Sequence, residues 1–493
     1  MAGVLPANVS FFMSRLQGVS VSHFKIFPQS STTADANKII RFELPSNSLV
    51  NLRSLRMLFS AGMTSNGGRL PNKIDSLIAR VSVFCGGVLV ANNYDNYNVL
   101  RHAKDALLGD KCDAACAHPE IVRVTSYHNG FGNDNAPLAD NGPETYLGSG
   151  NKGVGRDQFC IDYWEGLLGS LEPGIIDTGL FPQITVEITL AENAVCPTCE
   201  AVAISTTGAN RFCAPNAAAP VYQLQGINMQ VEVLGMSTSV LDQIVQQRIG
   251  SVGYLSLPFK NYFSFQSLHQ GTTKFNINSA SWDRMWITYR ATTYANNAAP
   301  HAVAGYKLGG AMTSSGGNGT AAQTGQAPAA VADVDQDVGR PRYDIGGVLD
   351  TNKEKYVAPY FRFQHLPEGA NAAAKLRAET DFALQVNGAS LPSYKMSPSE
   401  FYAITKNSLD VYHTNHTMSM DQYLDSSFIQ CMRFSLPESD MGRMAAGIDT
   451  RSVSANVTLE TKNLLTNGVT TNIFCECTSE LRVGAGRAIE IIQ

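Results

Sequence analysis

The chain has 493 residues with a formal net charge of -5, and only 16% of them are charged against 44% apolar. That length exceeds what one hydrophobic core organises, so two domains of about 200 to 250 residues are expected. No long basic run is present, which excludes direct, charge-driven binding of nucleic acid and so direct genome packaging. Low charge with plentiful Gly, Asn, Ser and Thr suits strands, long loops and surfaces that pack against copies of themselves.

Residues 1–20 read as an N-terminal arm. MAGVLPANVSFFMSRLQG has no charged region leading into a continuous apolar one, and nowhere do about 18 apolar residues run uninterrupted. The expectation is a chain that is neither signal-led nor membrane-spanning, with chance sequons at Asn8, Asn318, Asn415 and Asn456. Phe11, Phe12, Met13 and Leu16 are costly to expose. The arm is therefore expected either to pack beneath the first sheet or to order on contact with something outside the chain.

From residue 21 onward, period-2 stretches dominate: KIIRFEL, LRMLFSA, ARVSVF, PQITVEITL and NMQVEVL in the first half, KFNINS, MWITYR, DFALQV and SANVTLE in the second. Such short strands, punctuated by Gly, Asn and Pro, predict a mostly-β chain of sandwiches.

The two halves repeat one plan. HFKIFPQSS leading into IIRFELPSNSLVNLRSLRMLF parallels NYFSFQSL leading into KFNINSASWDRMWITY. VSVFCGGVLVANNYDNYNVL parallels FALQVNGASLPSYKMSPSEF, and the interval from Gly87 to Leu100 equals that from Gly388 to Phe401. The Gly-Gly and Asn-Gly pairs suit two-residue hairpins that need positive φ. Ser397, Pro398 and Glu400 spell a helix start with a capping box. Third, IIDTGLFPQITVEITL parallels GIDTRSVSANVTLETK through a shared Ile-Asp-Thr.

Domain limits follow: 21–235 and 253–493, joined by a connecting helix in 236–252. Ser239 and Asp242 start that helix, Val240, Leu241, Ile244, Val245 and Ile249 form its stripe, and Gly250 stops it. It could equally fold into the first domain's core without changing the architecture. Residues 109–157 and 305–345 read as long surface loops.

Chemistry-bearing patterns are few. Gly148, Gly150 and Gly153 match a phosphate-loop spacing but lack the strand and helix that aim amides at an anion. Cys112, Cys116, Cys196 and Cys199, with His118 and Cys213 in reserve, could bind one zinc, form disulfides or stay as thiols. Cys85, Cys431, Cys475 and Cys477 sit in apolar runs and are expected to be buried and reduced. Asp162 and Glu165 flank Trp164, a pairing more often a solvated helix face than a glycosidase pair. His413 and His416 form the only close histidine pair among nine, in a polar stretch. No catalytic, cofactor-binding or metal site is assigned, and no cofactor is expected.

RFELPSNSLVNLRSLRMLF, ARVSVFCGGVLVANNYDNYNVL, SASWDRMWITYR and FALQVNGASLPSYKMSPSEFY together give a strand, a tight hairpin, a Tyr-containing segment and a short helix once per half. This pattern resembles the double jelly-roll major capsid proteins of double-stranded DNA viruses, closest to those of polinton-like viruses and virophages in the tectivirus-adenovirus lineage. The resemblance spans nearly the whole chain and departs from it in 109–116 and 305–345.

It implies two tandem eight-stranded jelly-roll sandwiches with short helices, standing upright in an icosahedral virion shell, three copies forming a pseudo-hexagonal capsomer. Implied partners are the chain itself in a homotrimer and in neighbouring capsomers, minor capsid and penton proteins, and an internal membrane reached by the arm. The implied protein is not an enzyme. It is made and assembled inside a host cell. The competing reading is a two-domain, lectin-like carbohydrate-binding sandwich, which would show aromatic or Asp/Asn clusters at a sheet face or loop tip.

Overall fold

The computed structural model describes residues 20–63, 74–91, 95–108, 157–196, 198–199, 221–235, 253–268, 271–291, 356–357, 359–361, 363, 381–409, 428–435, 447–451, 455–462 and 469–493, with isolated residues between them. Residues 1–19 of the arm, most of 236–252, residues 109–156 of the first long loop and all of 305–345 lie outside these residues, as do Gly148, Gly150, Gly153, Cys112, Cys116, His118, Cys213, His413 and His416.

In the first half the elements are β1 (Ser20–Ile26), β2 (Ala34–Asp35), β3 (Ile39–Glu43), β4 (Leu49–Met63), β5 (Ile78–Cys85), β6 (Val88–Ala91), α1 (Tyr97–Leu108), β7 (Asp157–Ile161), α2 (Leu167–Ser170), β8 (Ile175–Asp177), β9 (Ile184–Leu190), β10 (Thr198–Cys199) and β11 (Tyr222–Gly235). In the second they are β12 (Tyr254–Leu268), β13 (Thr272–Ile277), β14 (Trp282–Ala291), β15 (Tyr356–Val357), β16 (Asp381–Val386), β17 (Ala389–Ser390), α3 (Pro398–Ser408), β18 (Ile429–Arg433), β19 (Ala455–Lys462), β20 (Val469–Gly484) and β21 (Ile489–Ile492).

The first half forms one sheet in the order β1-β11-β4-β7, with β2 and β8 as short additions, and a second in the order β3-β9-β5-β6. The second half repeats this as β12-β20-β14-β18, with β21 added, and β13-β19-β16-β17. All these pairings are antiparallel. Taking the eight main strands of either half in chain order, the first, eighth, third and sixth share one sheet and the second, seventh, fourth and fifth share the other. That order defines a jelly roll, so the chain is two jelly rolls in tandem.

The alternation expected of facing sheets is visible in β9, where every second residue from Ile184 to Leu190 is buried, and in β13, where Thr273, Phe275 and Ile277 are buried between exposed neighbours. The first core gathers Phe42, Met57, Phe59, Val83, Phe159, Val186, Ile188 and Met229. The second centres on Phe382, whose ring lies 5.4 Å from Phe401, 5.5 Å from Phe428 and 5.8 Å from Tyr289.

All three sequence correspondences occupy equivalent places. Gly86-Gly87 and Asn387-Gly388 turn the β5–β6 and β16–β17 hairpins with positive φ throughout, +57° and +83° in one, +53° and +81° in the other. Each hairpin is followed by its helix, and the α3 capping box forms as expected, Ser397 accepting from the Glu400 amide and Glu400 from the Ser397 amide at 2.7 Å.

The Ile-Asp-Thr repeat is a duplicated clamp. The Ser48 amide donates to Thr178 Oγ1 at 2.9 Å, and the Ser279 amide to Thr450 Oγ1 at 2.8 Å. The amides of Thr178 and Thr450 return bonds of 2.9 Å to the Ser48 and Ser279 carbonyls. Asp177 and Asp449 each accept from the amide two residues on, at 2.8 and 3.0 Å. The clamp ties the turn before the third main strand to the segment before the seventh. It fixes how the two sheets of each roll meet.

Candidate functional site

Of the two carboxylates weighed for catalysis, Asp162 is exposed, while Glu165 is buried in a stretch that is not helical. The expectation of a solvated helix face is therefore corrected. Trp164 Nε1 donates to the Leu55 carbonyl at 2.9 Å, and the Glu165 amide donates to Tyr97 OH at 3.1 Å. Those bonds hold Glu165 pointing at the other roll.

Of the cysteines, Cys85, Cys431, Cys475 and Cys477 are buried thiols outside any disulfide. Burial pushes Cys85, Cys431 and Cys477 up to about 12, and burial, with the neighbouring Cys477, raises the Cys475 thiol well above its ordinary value, so none is a ready nucleophile. Cys196 is also buried, and burial raises its thiol pKa. Among the described residues no group of three His, Cys, Asp or Glu side chains is placed to hold a metal ion.

What the fold does bring together is a buried charged cluster where the rolls meet. The first roll contributes Asp75 from the turn before β5, Arg101 and Lys104 from α1, and Glu165 from the segment after β7. The second contributes Tyr262 from β12, Arg284 from β14 and Glu476 from β20. Arg101 Nε lies 3.0 Å from Asp75 and its Nη1 3.4 Å from Glu165. Lys104 Nζ lies 2.9 Å from Glu165 Oε2 and 2.6 Å from Tyr262 OH, with its charge 4.6 Å from the Tyr262 ring centre and 5.7 Å from that of Trp286. Tyr262 OH also donates to Glu165 at 3.2 Å. Across the seam Glu476 sits 4.0 Å from Lys104 and 3.9 Å from Arg284.

Burial works against ionised Glu476, but Lys104, Arg284 and Lys260 outweigh it and hold its carboxyl below the usual carboxylate range. Burial, reinforced by Glu165 and Glu476, pushes the Tyr262 phenol well above its ordinary value, so it acts as a neutral hydrogen-bonding bridge.

Further contacts continue the seam. The Lys260 amide donates to Ser170 Oγ at 2.8 Å, the Glu172 amide to the Pro258 carbonyl at 3.0 Å, and Asn96 Nδ2 to Gln266 Oε1 at 3.0 Å. His102 of α1 stacks on Phe361 at 4.4 Å. Strand β10 of the first half pairs with β15 of the second. At the far end of the chain, Arg487 reaches Asn47 at 3.4 Å across the rim of a cavity of about 190 Å³ lined by Leu44, Thr178 and Phe181.

Sequence reasoning found Glu165 for another reason and missed the rest of the cluster. One local signal existed, because Glu476 is a charge inside the apolar run NIFCECT.

The arrangement defines a double jelly-roll protein whose two rolls are locked side by side through a charged, largely buried seam. No protein-family model and no curated protein matches the sequence. Among solved structures the chain is similar to PBCV-1 VP54, fitted into a cryo-EM reconstruction of the virophage Sputnik, with 11% identity, 97% of each chain covered and a TM-score of 0.48. It is also similar to the Faustovirus major capsid protein, with 9% identity over 95% of this chain and 91% of that one and a TM-score of 0.46. The mavirus major capsid protein shares 8% identity over 95% and 90%, with a TM-score of 0.40. The double jelly-roll assignment itself rests on this chain's own strand order.

Proposed function

We propose that this chain is a viral major capsid protein that assembles into trimeric, pseudo-hexagonal capsomers of an icosahedral shell, and that it is not an enzyme. The observation carrying this reading is that one chain already contains a lateral contact between two copies of one roll, with α1 of the first seated on the β12-β20-β14 face of the second. A shell is built by repeating such a contact. A chain with two equivalent rolls can present six similar units in three copies.

In this reading 21–235 and 253–493 are the two rolls, 236–252 connects them, and 1–20 is an arm reaching neighbouring capsomers, minor capsid or penton proteins, or an internal membrane. The chain would be made and assembled inside a host cell and reside in the virion, without binding the genome directly. The lectin-like alternative gains no specific support from the charged seam, which lies buried between the rolls rather than at a ligand-accessible tip.

The test is the native mass of the full chain by light scattering after size exclusion, followed by negative-stain microscopy. Particles near three times 53.1 kDa with a hexagonal outline, or closed shells, are expected. A monomer at every salt and pH would overturn the reading.

A further inference from the structure

The cavity of about 190 Å³ takes its lining from the turn between β3 and β4, from the segment leading into β9, and from one residue of the second roll, Arg487. Leu44, Phe181 and Ile184 are buried beneath it, and Pro45 and Pro182 add to its apolar lining. No Asp or Glu is among the described residues that line it. An apolar cavity of about 150 Å³ admits a benzene ring, so this one has room for a single apolar side chain.

Much of the polar lining is already committed. Thr178 Oγ1 donates to the Pro45 carbonyl at 2.7 Å and accepts from the Ser48 amide, and Gln183 Nε2 donates to the Leu44 carbonyl at 3.0 Å. The Gln183 bond leaves Oε1 as an acceptor. Asn47 Oδ1 accepts from Arg487 Nη2 at 3.4 Å, which leaves Asn47 Nδ2 as a donor beside the guanidinium. The surface arginines Arg41, Arg53, Arg56, Arg80, Arg451 and Arg482 each lie beside a carboxylate, whereas Arg487 pairs with none among the described residues. Its backbone is held at φ +64°, in the left-handed region that suits glycine. Such strain persists where the surrounding structure enforces it, and here it holds an uncommitted cation over a hollow with an apolar floor.

We infer that this cavity binds the C-terminal residue of a partner polypeptide that ends in an apolar side chain. The terminal carboxylate, which only accepts hydrogen bonds, sits against the Arg487 guanidinium and Asn47 Nδ2. The last backbone N–H donates to Gln183 Oε1, and the last side chain fills the space over Leu44, Phe181 and Ile184. An anion without an apolar body would leave that floor wet, and an apolar group without a charge would leave Arg487 unpaired. Because Arg487 comes from one roll and the rest from the other, the site is complete only while the two rolls are docked. The inference does not depend on the capsid reading.

The test is isothermal titration of the full chain with the peptide N-acetyl-Ala-Ala-Leu. A dissociation constant below about 1 mM is expected, and amidating the peptide's C terminus should weaken it by about tenfold or more. Arg487→Gly should weaken binding by a similar factor while its thermal midpoint stays level or rises, because glycine takes φ +64° without strain. Arg487→Lys should keep part of the affinity, as a point charge without the planar fork. Failure of the free-acid peptide to bind, or equal binding of its amide, would overturn the inference without any variant being needed. Hexanoate binding as tightly as the peptide would overturn the polypeptide partner, and normal peptide binding by Arg487→Gly would overturn the site.

Discussion

Replacing Lys104 by Met keeps an unbranched apolar stem in the seam and deletes only the charge. In the native cluster three carboxylates, Asp75, Glu165 and Glu476, face three cations, Arg101, Lys104 and Arg284. Their side chains on the first roll and Glu476 are at most about a tenth exposed. K104M leaves one negative charge in excess and removes the donor at 2.6 Å from Tyr262 OH. Breaking a buried pair by removing one partner costs about 3–5 kcal/mol, against a total stability of about 5–15 kcal/mol. Glu165 keeps Arg101 at 3.4 Å, which argues for the lower end, about 3 kcal/mol. Urea unfolding of K104M, E165Q and the double variant forms a mutant cycle. The double variant should lose less than the sum of the singles, by about 1.5 kcal/mol or more. A K104M cost below about 1 kcal/mol, the level of an exposed pair, or singles that simply add, would refute a dry, coupled cluster.

Acid should weaken the seam through Glu476. Its folded carboxyl is held below 4.5, so the unfolded chain takes up the proton first; the contribution is complete above pH 4.5 and drains as pH falls through the folded value, and E476Q should flatten that acid limb of a stability-pH curve. Thr178→Val and Thr450→Val each strip the acceptor from a serine amide, so each should cost about 1–3 kcal/mol in chemical denaturation. Because the clamps are equivalent, the two losses should be similar. Gly87→Ala meets nothing within 4 Å and should cost only the left-handed backbone penalty of about 1–2 kcal/mol. Gly86→Ala adds a Cβ 2.8 Å from Pro182 Cβ, so its thermal midpoint should fall further.

The duplicated architecture was legible because its signals are local. Alternation marks β9 and β13, positive-φ turn pairs mark the hairpins, and the Ser397 to Glu400 box starts α3. Even Ile-Asp-Thr proved to be an equivalent part in both halves. Strands without one buried face were harder to read. In β18 four successive residues, Ile429 to Met432, are buried, because core packs on one side and Thr405 of α3 covers the other, bonding the Cys431 amide at 3.1 Å. In β1 almost nothing is buried, so no alternation arises. The charged cluster was nearly invisible for a different reason. Lys104 and Tyr262 are far apart in sequence, and a lysine on a helix looks like any solvated lysine until the second roll arrives.

The face of β12 that meets the first roll carries Lys260, Tyr262 and Gln266, and its partner is tethered in the same chain at high effective concentration. Such a contact can be polar, because little association entropy opposes it. Its charges also reject a displaced register, since any slip would leave a buried ion unpaired at a cost of several kcal/mol. The seam therefore selects one geometry more than it adds net stability.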